Sequence, residues 1–216
     1  ISNKEMGLAL PLAGSGIRGL RFLKELKKGK LNHLYLNDRK ETFEKTIKEN
    51  LKLNSLKTNK INISTQDAEQ FLLSQHCDES CGYMDYIDID PFGTPNPFIS
   101  VAVNKIKRNG ILAITATDTA ALTGTYPKVT KRKYWARSLR NYMMHEIGLR
   151  ILIRKVQLQG IQFDKAMVPI LAYHKDHYFR IYFRSEKGKE KCDELIKHHQ
   201  YLLFCPHCLN HQVSNY

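Results

Sequence analysis

The sequence predicts an α/β fold: a mostly parallel, doubly wound sheet with an antiparallel hairpin at its edge. Two observations carry this. Through the first two-thirds of the chain, short apolar strand patterns alternate with helical patterns, the order in which strand–helix units lay down a parallel sheet. Then two β-rich runs, "AMVPILAYH" and "HYFRIYFR", follow with only "KD" between them. That is too little chain for a crossover, so they pair antiparallel.

The elements follow in order. "LALPLA" is a short apolar strand and "GSGIRG" a turn. "LRFLKELKK" sets Leu20, Leu23 and Leu26 at helical spacing. "LNHLYLN" is a second strand, and Phe43, Ile47 and Leu51 form one stripe of the next helix. "INIS" and "MDYIDI" are the third and fourth strands. "FISVAVNKIKRNG" reads as a helix closed by its glycine, and "ILAITAT" as the fifth strand. Residues 134–156 read as one long helix with Leu139, Met143, Ile147, Ile151 and Ile153 as its apolar residues. A chain of 216 residues supports one main domain with a small appendage.

Bulk composition narrows the function. Lys and Arg number 34 against 21 Asp and Glu, a net charge of +13, which suits a polyanionic partner, nucleic acid before membrane; a lysine-rich proteome is the competing reading. No apolar run is long enough to span a bilayer, and no signal-peptide pattern opens the chain. Five cysteines, an odd number outside any secretory pattern, point to a reducing, intracellular compartment.

Ligands of doubly wound sheets bind beyond the carboxyl ends of the strands, at the switch point, and the candidate residues cluster there. "AGSGIRG" follows the first strand; Gly14, Ser15 and Gly16 let backbone approach a ligand closely, or simply make a tight turn. No phosphate-loop lysine accompanies them, which argues against a nucleoside triphosphatase. Asp38 ends the second strand, placed either to accept hydrogen bonds from ribose hydroxyls or to cap the next helix. Asp67, after the third strand, is placed either to accept from an adenine amino group, with the Ala68 N–H beside it, or to cap. Together the three strand ends suit a ligand with a ribose and an adenine but no phosphate.

"DIDPFGTP", residues 88–95, ends the fourth strand. Asp88 and Asp90 alternate with Ile87 and Ile89 and so share a face. Pro91 and Pro95 stiffen the loop, and Gly93 permits an unusual turn. Such a loop holds a carboxylate as acceptor for an amino group, with Phe92 as a surface on which a base can stack; the alternative is a rigid loop with capping acids.

Between Gly124 and Lys155 lie nine basic residues, Lys128, Lys131, Arg132, Lys133, Arg137, Arg140, Arg150, Arg154 and Lys155, opposed only by Glu146 and interleaved with Tyr126, Tyr134 and Trp135. They read as phosphate contacts or as a solvated helix face. Cys205 and Cys208, two residues apart in "FCPHC", suit one corner of a tetrahedral zinc site or stand as unligated thiols. Cys77, Cys81 and Cys192 show no ligand spacing.

The blocks "AGSGIRGLRF", "LNDRKETFEKTIKENLKLN", "DAEQFL", "DIDPFGTP", "TATDTAALTG", "YWARSLRNYMMHEIGLRIL" and "FDKAMVPILAYHKDHYFRIYF", in that order, resemble the tRNA (guanine(26)-N2)-dimethyltransferases, the Trm1 family. The resemblance covers about residues 10 to 184. It implies the Rossmann-like fold of class I S-adenosylmethionine-dependent methyltransferases, with residues 1–186 as catalytic domain and 187–216 as the start of a truncated C-terminal tRNA-binding and zinc region. By the same resemblance Gly14, Ser15, Gly16 and Arg18 line S-adenosylmethionine, Asp38 holds its ribose, and Asp67 with Ala68 reads its adenine. Asp90 is the catalytic acid, Phe92 the stacking surface, and Asp88 structural. Read from the basic stretch rather than from the resemblance, Lys128, Lys131, Arg132, Lys133 and Arg137 are the candidates to face tRNA; Cys205 and Cys208 supply half a Zn2+ site, whose second pair the resemblance implies downstream. Leu10 departs from the family, which has an acid there. The family's upstream block, with an aromatic and an arginine that contact base and cofactor, has no counterpart. The competing functions are another amino-group methyltransferase acting on rRNA or DNA, and a non-catalytic RNA-binding subunit with the same fold.

Overall fold

The computed structural model of the chain describes residues 5–56, 59–74 and 83–215. The strands are β1 (Met6–Leu10), β2 (Leu31–Asn37), β3 (Ile61–Ser64), β4 (Met84–Ile89), β5 (Ile106–Ala116), β6 (Lys165–Lys175) and β7 (Tyr178–Lys187). They form one seven-stranded sheet in the order β3-β2-β1-β4-β5-β7-β6. The first five are parallel, and β7 joins β5 and β6 antiparallel. The expected mostly parallel sheet with an antiparallel edge hairpin is present. Its strand order reverses between β1 and β4, so their carboxyl ends open the crevice.

The helices are α1 (Ile17–Glu25), α2 (Phe43–Leu53), α3 (Ala68–Ser74), α4 (Asn96–Lys105), α5 (Thr119–Leu122), α6 (Pro127–Tyr134), α7 (Met144–Gly160) and α8 (Lys189–Lys197). Alternation along the strands gives the sheet two apolar faces. Leu8, Leu10, Leu34 and Leu36 meet Phe43 and Ile47 of α2 on one side, with Phe22 and Leu23 of α1. Ala9, Ile87, Ile89, Leu112 and Ile114 meet Phe71, Ile99, Val103, Leu152 and Val156 on the other. Burying a side chain of this size contributes about 1.5–3 kcal/mol, and these two layers hold the sheet.

Three sequence expectations are corrected. Residues 134–156 are not one helix. Trp135 takes a left-handed backbone (φ 54°) that closes α6, and the chain runs irregularly until Asn141 Oδ1 accepts the Met143 N–H at the entry to α7. Leu139 and Met143 still pack on the core from that irregular stretch, because apolar spacing reports which residues face inward and not whether the helix is continuous. The helix after "DIDPFGTP" ends at Lys105, and "IKRNG" already belongs to β5. Gly110 is no helix cap: the β4–β5 register shifts there, and a Cβ on Gly110 would lie 3.0 Å from the Lys107 carbonyl and 3.1 Å from that of Asp85. Ile17, Arg18 and Gly19, read as turn, form the first turn of α1.

Beyond β7, α8 leads to a separate two-stranded hairpin, β8 (Tyr201–Phe204) and β9 (His211–Ser214). Leu202 packs on the main core and His199 bonds Gln157 at 2.9 Å, so this segment rests on the sheet domain. No helix among the described residues is long and apolar enough to cross a membrane.

Gly16 locks the first strand–helix turn. Its φ is 74°, and a Cβ there would stand 2.0 Å from Cδ1 of Ile47, which is fully buried. Gly16→Ala is expected to cost about 2–4 kcal/mol, from backbone strain and overpacking together. An unchanged urea midpoint would show that α1 swings away without penalty.

Candidate functional site

The strand ends are tied together by Asn37, a fully buried side chain. Its Nδ2 donates to the Pro11 carbonyl at 2.9 Å and to the Gln66 carbonyl at 3.0 Å, and its Oδ1 accepts from the Ser64 hydroxyl and the Gln66 N–H. The Ala13 N–H donates to the Asn37 carbonyl. One amide thus fixes the loops leaving β1, β2 and β3. The sequence reading passed over it; a polar residue closing an apolar strand, directly before Asp38, was the available signal.

Asp38 follows. Its Oδ2 accepts the Gly14 N–H at 2.8 Å and its Oδ1 the Lys40 N–H at 3.1 Å. Each oxygen keeps a further lone pair, which a vicinal diol can use. Gly14, at φ 59°, has no atom within 4 Å of where a Cβ would stand, so backbone is open to a ligand. Asp67 is exposed, and its Oδ1 accepts the Glu69 and Gln70 N–H groups as the cap of α3; its Oδ2 makes no hydrogen bond among the described residues. Ala68, the first residue of α3, is buried. Ser15 is exposed beside them, its carbonyl accepting from Asn50 Nδ2. Leu10 is 2% exposed and packs with Leu36 and Leu8, so the position that carries an acid in the family is core in this chain.

The two acids of β4 have different surroundings. Asp88 is 1% exposed and fully partnered. Arg180 on β7 meets it with two bonds, both 2.8 Å, and the Tyr86 hydroxyl donates to it at 2.8 Å. Arg180 also reaches Thr115 of β5. Arg18 of α1 bridges the acids, 3.1 Å from Asp88 Oδ1 and 2.8 Å from Asp90 Oδ2. Burial opposes both arginine charges. For Arg18 the fields of Asp88 and Asp90 outweigh it, and for Arg180 the hydrogen bonds and field of Asp88 do, so both guanidinium groups titrate above their ordinary value. Asp90 has a 31% exposed side chain, and its Oδ1 makes no hydrogen bond among the described residues. One oxygen is held and the other is offered to the crevice. Arg180 was not singled out from sequence; its signal was a cation between Phe179 and Ile181.

The loop after Asp90 is pinned to the loop after β5. Gly93 (φ 86°) donates its N–H to Thr117 Oγ1 at 2.6 Å, and the Thr117 N–H returns to the Gly93 carbonyl at 2.9 Å. Thr94 and Tyr134 hydroxyls lie 3.1 Å apart, Tyr134 donates to Asp118 at 2.6 Å, and Asn96 Nδ2 donates to the Lys133 carbonyl at 2.7 Å. Burial, with the Asp118 charge, raises the Tyr134 phenol above its usual value, keeping it a donor. Phe92 stands on this braced loop fully exposed, an aromatic ring with no apolar cover.

The basic stretch divides. Lys128, Lys131, Arg132, Arg137 and Arg140 are exposed. Lys133 is half-buried and ion-paired with Asp118 at 3.6 Å, so it braces the loop. Arg150 pairs with Glu146 along α7. Lys155, counted from sequence among the surface cations, is 6% exposed; this is a correction, and its cause is the Trp135 ring, whose centroid lies 3.1 Å from the ammonium. Cys205 and Cys208 are exposed thiols on the β8–β9 turn. The Cys208 and His207 N–H groups hold the Cys205 thiol below its usual value. No group of three His, Cys, Asp or Glu that could hold a metal ion occurs among the described residues. Cys192 is buried in α8, and Cys77 and Cys81 lie outside the described residues.

Residues 2–216 match the family described as N2,N2-dimethylguanosine tRNA methyltransferase. The chain is similar to the tRNA (guanine(26)-N(2)/guanine(27)-N(2))-dimethyltransferase of Aquifex aeolicus, 46% identical over 95% of this chain and 51% of that protein. It is 41% identical to the tRNA (guanine(26)-N(2))-dimethyltransferase of Methanobrevibacter smithii, over 91% of this chain and 48% of that one. It therefore spans about half the length of the curated relatives it matches. A solved structure of Trm1 from Pyrococcus horikoshii with S-adenosyl-L-methionine superposes with TM-score 0.89 at 34% identity, covering 98% of this chain and 58% of that one. The class I methyltransferase fold is thereby established.

Asp88→Asn leaves Arg180 buried without the one carboxylate that pairs with it among the described residues. It is expected to destabilise the fold by about 3–5 kcal/mol, the usual cost of breaking a buried pair on one side. Wild-type stability in chemical denaturation would show that Asp88 is dispensable to the sheet.

Proposed function

The chain belongs to the N2,N2-dimethylguanosine tRNA methyltransferase family, and on that premise we propose that it transfers methyl groups to the exocyclic N2 of a guanosine in tRNA, the position-26 guanosine named for its relatives. The observation that carries this is the environment of Asp90, with one oxygen held by Arg18 and the other without a hydrogen bond among the described residues, two residues before the exposed ring of Phe92.

The strand-end residues fit S-adenosylmethionine. Asp38 would hold the ribose diol, Asp67 and the Ala68 N–H the adenine, and the open backbone of Gly14 the close approach. When bound, the cofactor supplies an electrophilic methyl group on a sulfonium. The chain does the rest. A guanine amine is a poor nucleophile because its lone pair is delocalised into the ring. Asp90 Oδ1 accepts an N2–H, which turns the lone pair toward the methyl donor and stabilises positive charge growing on nitrogen. On methylation of the amine, Asp90 would take that proton and pass it to water. Arg18 holds the other oxygen of that carboxylate in place. Phe92 stacks the base after it leaves its helix, and the Gly93–Thr117 brace keeps the ring in place.

The exposed cations Lys128, Lys131, Arg132 and Arg137 would contact backbone phosphates without reading sequence. Cys205 and Cys208 would supply two of the four donors that a structural zinc takes.

Incubation with labelled S-adenosylmethionine and bulk tRNA, followed by nucleoside analysis, is expected to yield N2-methylated guanosine. Asp90→Asn should cut that rate about 10²–10⁴-fold with cofactor affinity unmoved. Wild-type rate in that variant would make the carboxylate a loop brace and sink the mechanism.

Reversal of Lys128, Lys131 and Arg132 to Glu leaves Lys133 and its loop brace alone. It should weaken tRNA binding and flatten its dependence on salt. An identical salt slope in the triple variant would make these residues a solvated face.

A further inference from the structure

Trp135 is the only tryptophan of the 216 residues, and it is 53% exposed. Its backbone is left-handed, φ 54°, a conformation that a bulky residue keeps only where its surroundings impose it. Those surroundings are specific. Its N–H donates to the Lys131 carbonyl, closing α6. The Lys155 ammonium, 6% exposed, lies 3.1 Å from the ring centroid and has no carboxylate partner among the described residues. One face of the indole is held by a buried cation, and much of the ring remains open to solvent.

Position adds to this. The neighbouring Tyr134 is hydrogen-bonded to Thr94 and Asp118, and the Lys133 carbonyl accepts from Asn96. Trp135 therefore follows directly on two anchors to the loop that carries Phe92. Lys131, Arg132 and Arg137 are exposed on either side of it in the chain. A rigid aromatic ring set among cations is the arrangement that binds an unpaired nucleotide, the ring taking the base and the cations the phosphates.

We propose that Trp135 is a second stacking platform, taking an unpaired base of the RNA other than the guanine that meets Phe92. This rests on the reading of the chain as acting on RNA. Lys155 fixes the indole plane from beneath, and its desolvated charge adds attraction for the backbone of the stacked nucleotide.

Intrinsic fluorescence reads the contact directly, because no other tryptophan contributes. Titration with a short single-stranded RNA is expected to quench most of the emission. Heparin, a polyanion without bases, should occupy the same cations with little quenching. Trp135→Phe keeps a ring and should retain most of the RNA affinity, whereas Trp135→Leu should weaken it about 5–100-fold. RNA binding seen by anisotropy with emission unchanged overturns the proposal and marks the ring as a surface for another partner, such as a protein. Equal quenching by heparin overturns it too. Methyl transfer to tRNA with unchanged emission overturns the stacking alone, and failure of RNA to bind at all overturns it together with the functional reading.

Discussion

The buried pair of Asp88 and Arg180 is the constraint on which the site is built. It joins the end of the parallel strand β4 to the antiparallel strand β7 across β5, where Thr115 adds a third contact. Two charges removed from water are costly unless every lone pair and proton finds a partner. Asp88 meets that condition with Arg180, Tyr86 and Arg18. A slip of β7 by one residue would turn Arg180 to the other face of the sheet and leave the carboxylate uncompensated. The pair therefore specifies the register of the hairpin as well as the charge of the crevice.

Alternating charge then propagates outward, from Arg180 to Asp88 to Arg18 to Asp90. The inner pair is buried and the outer pair is not: the side chains of Arg180 and Asp88 are 4% and 1% exposed, and those of Arg18 and Asp90 40% and 31%. The inner members resist rearrangement because moving them strands a buried charge. The outer members can exchange a partner for a substrate group at little cost. Preorganisation of this kind holds a reacting group in place before the substrate arrives, which is where positioned carboxylates gain their effect.

The second brace is neutral. Gly93 and Thr117 exchange two hydrogen bonds between the β4 and β5 loops, and Tyr134 reaches both through Thr94 and Asp118. These bonds explain how a fully exposed phenylalanine is held on a loop without apolar contacts of its own. They also link the loop to α6, and so the surface that would meet phosphates to the ring that would meet the base.

The order of strands and helices was legible in the sequence because apolar periodicity follows directly from which side chains must leave water. The strand-end acids were legible for a related reason: Asp38, Asp67, Asp88 and Asp90 stand where apolar strands stop, and only a capping or binding role keeps a carboxylate there. The family blocks were legible as residue strings. The sequence could not separate Asp88 from Asp90, since both lie on one face of one strand; Arg180, 92 residues further on, made one structural and left the other available. Nor could it show that Lys155 is buried under Trp135, that Lys133 braces a loop, or that the run through 134–156 breaks into two elements. Periodicity and composition describe each residue against water. Partner choice among charges depends on distances across the sheet, and those exist only once residues far apart in the chain have been packed together.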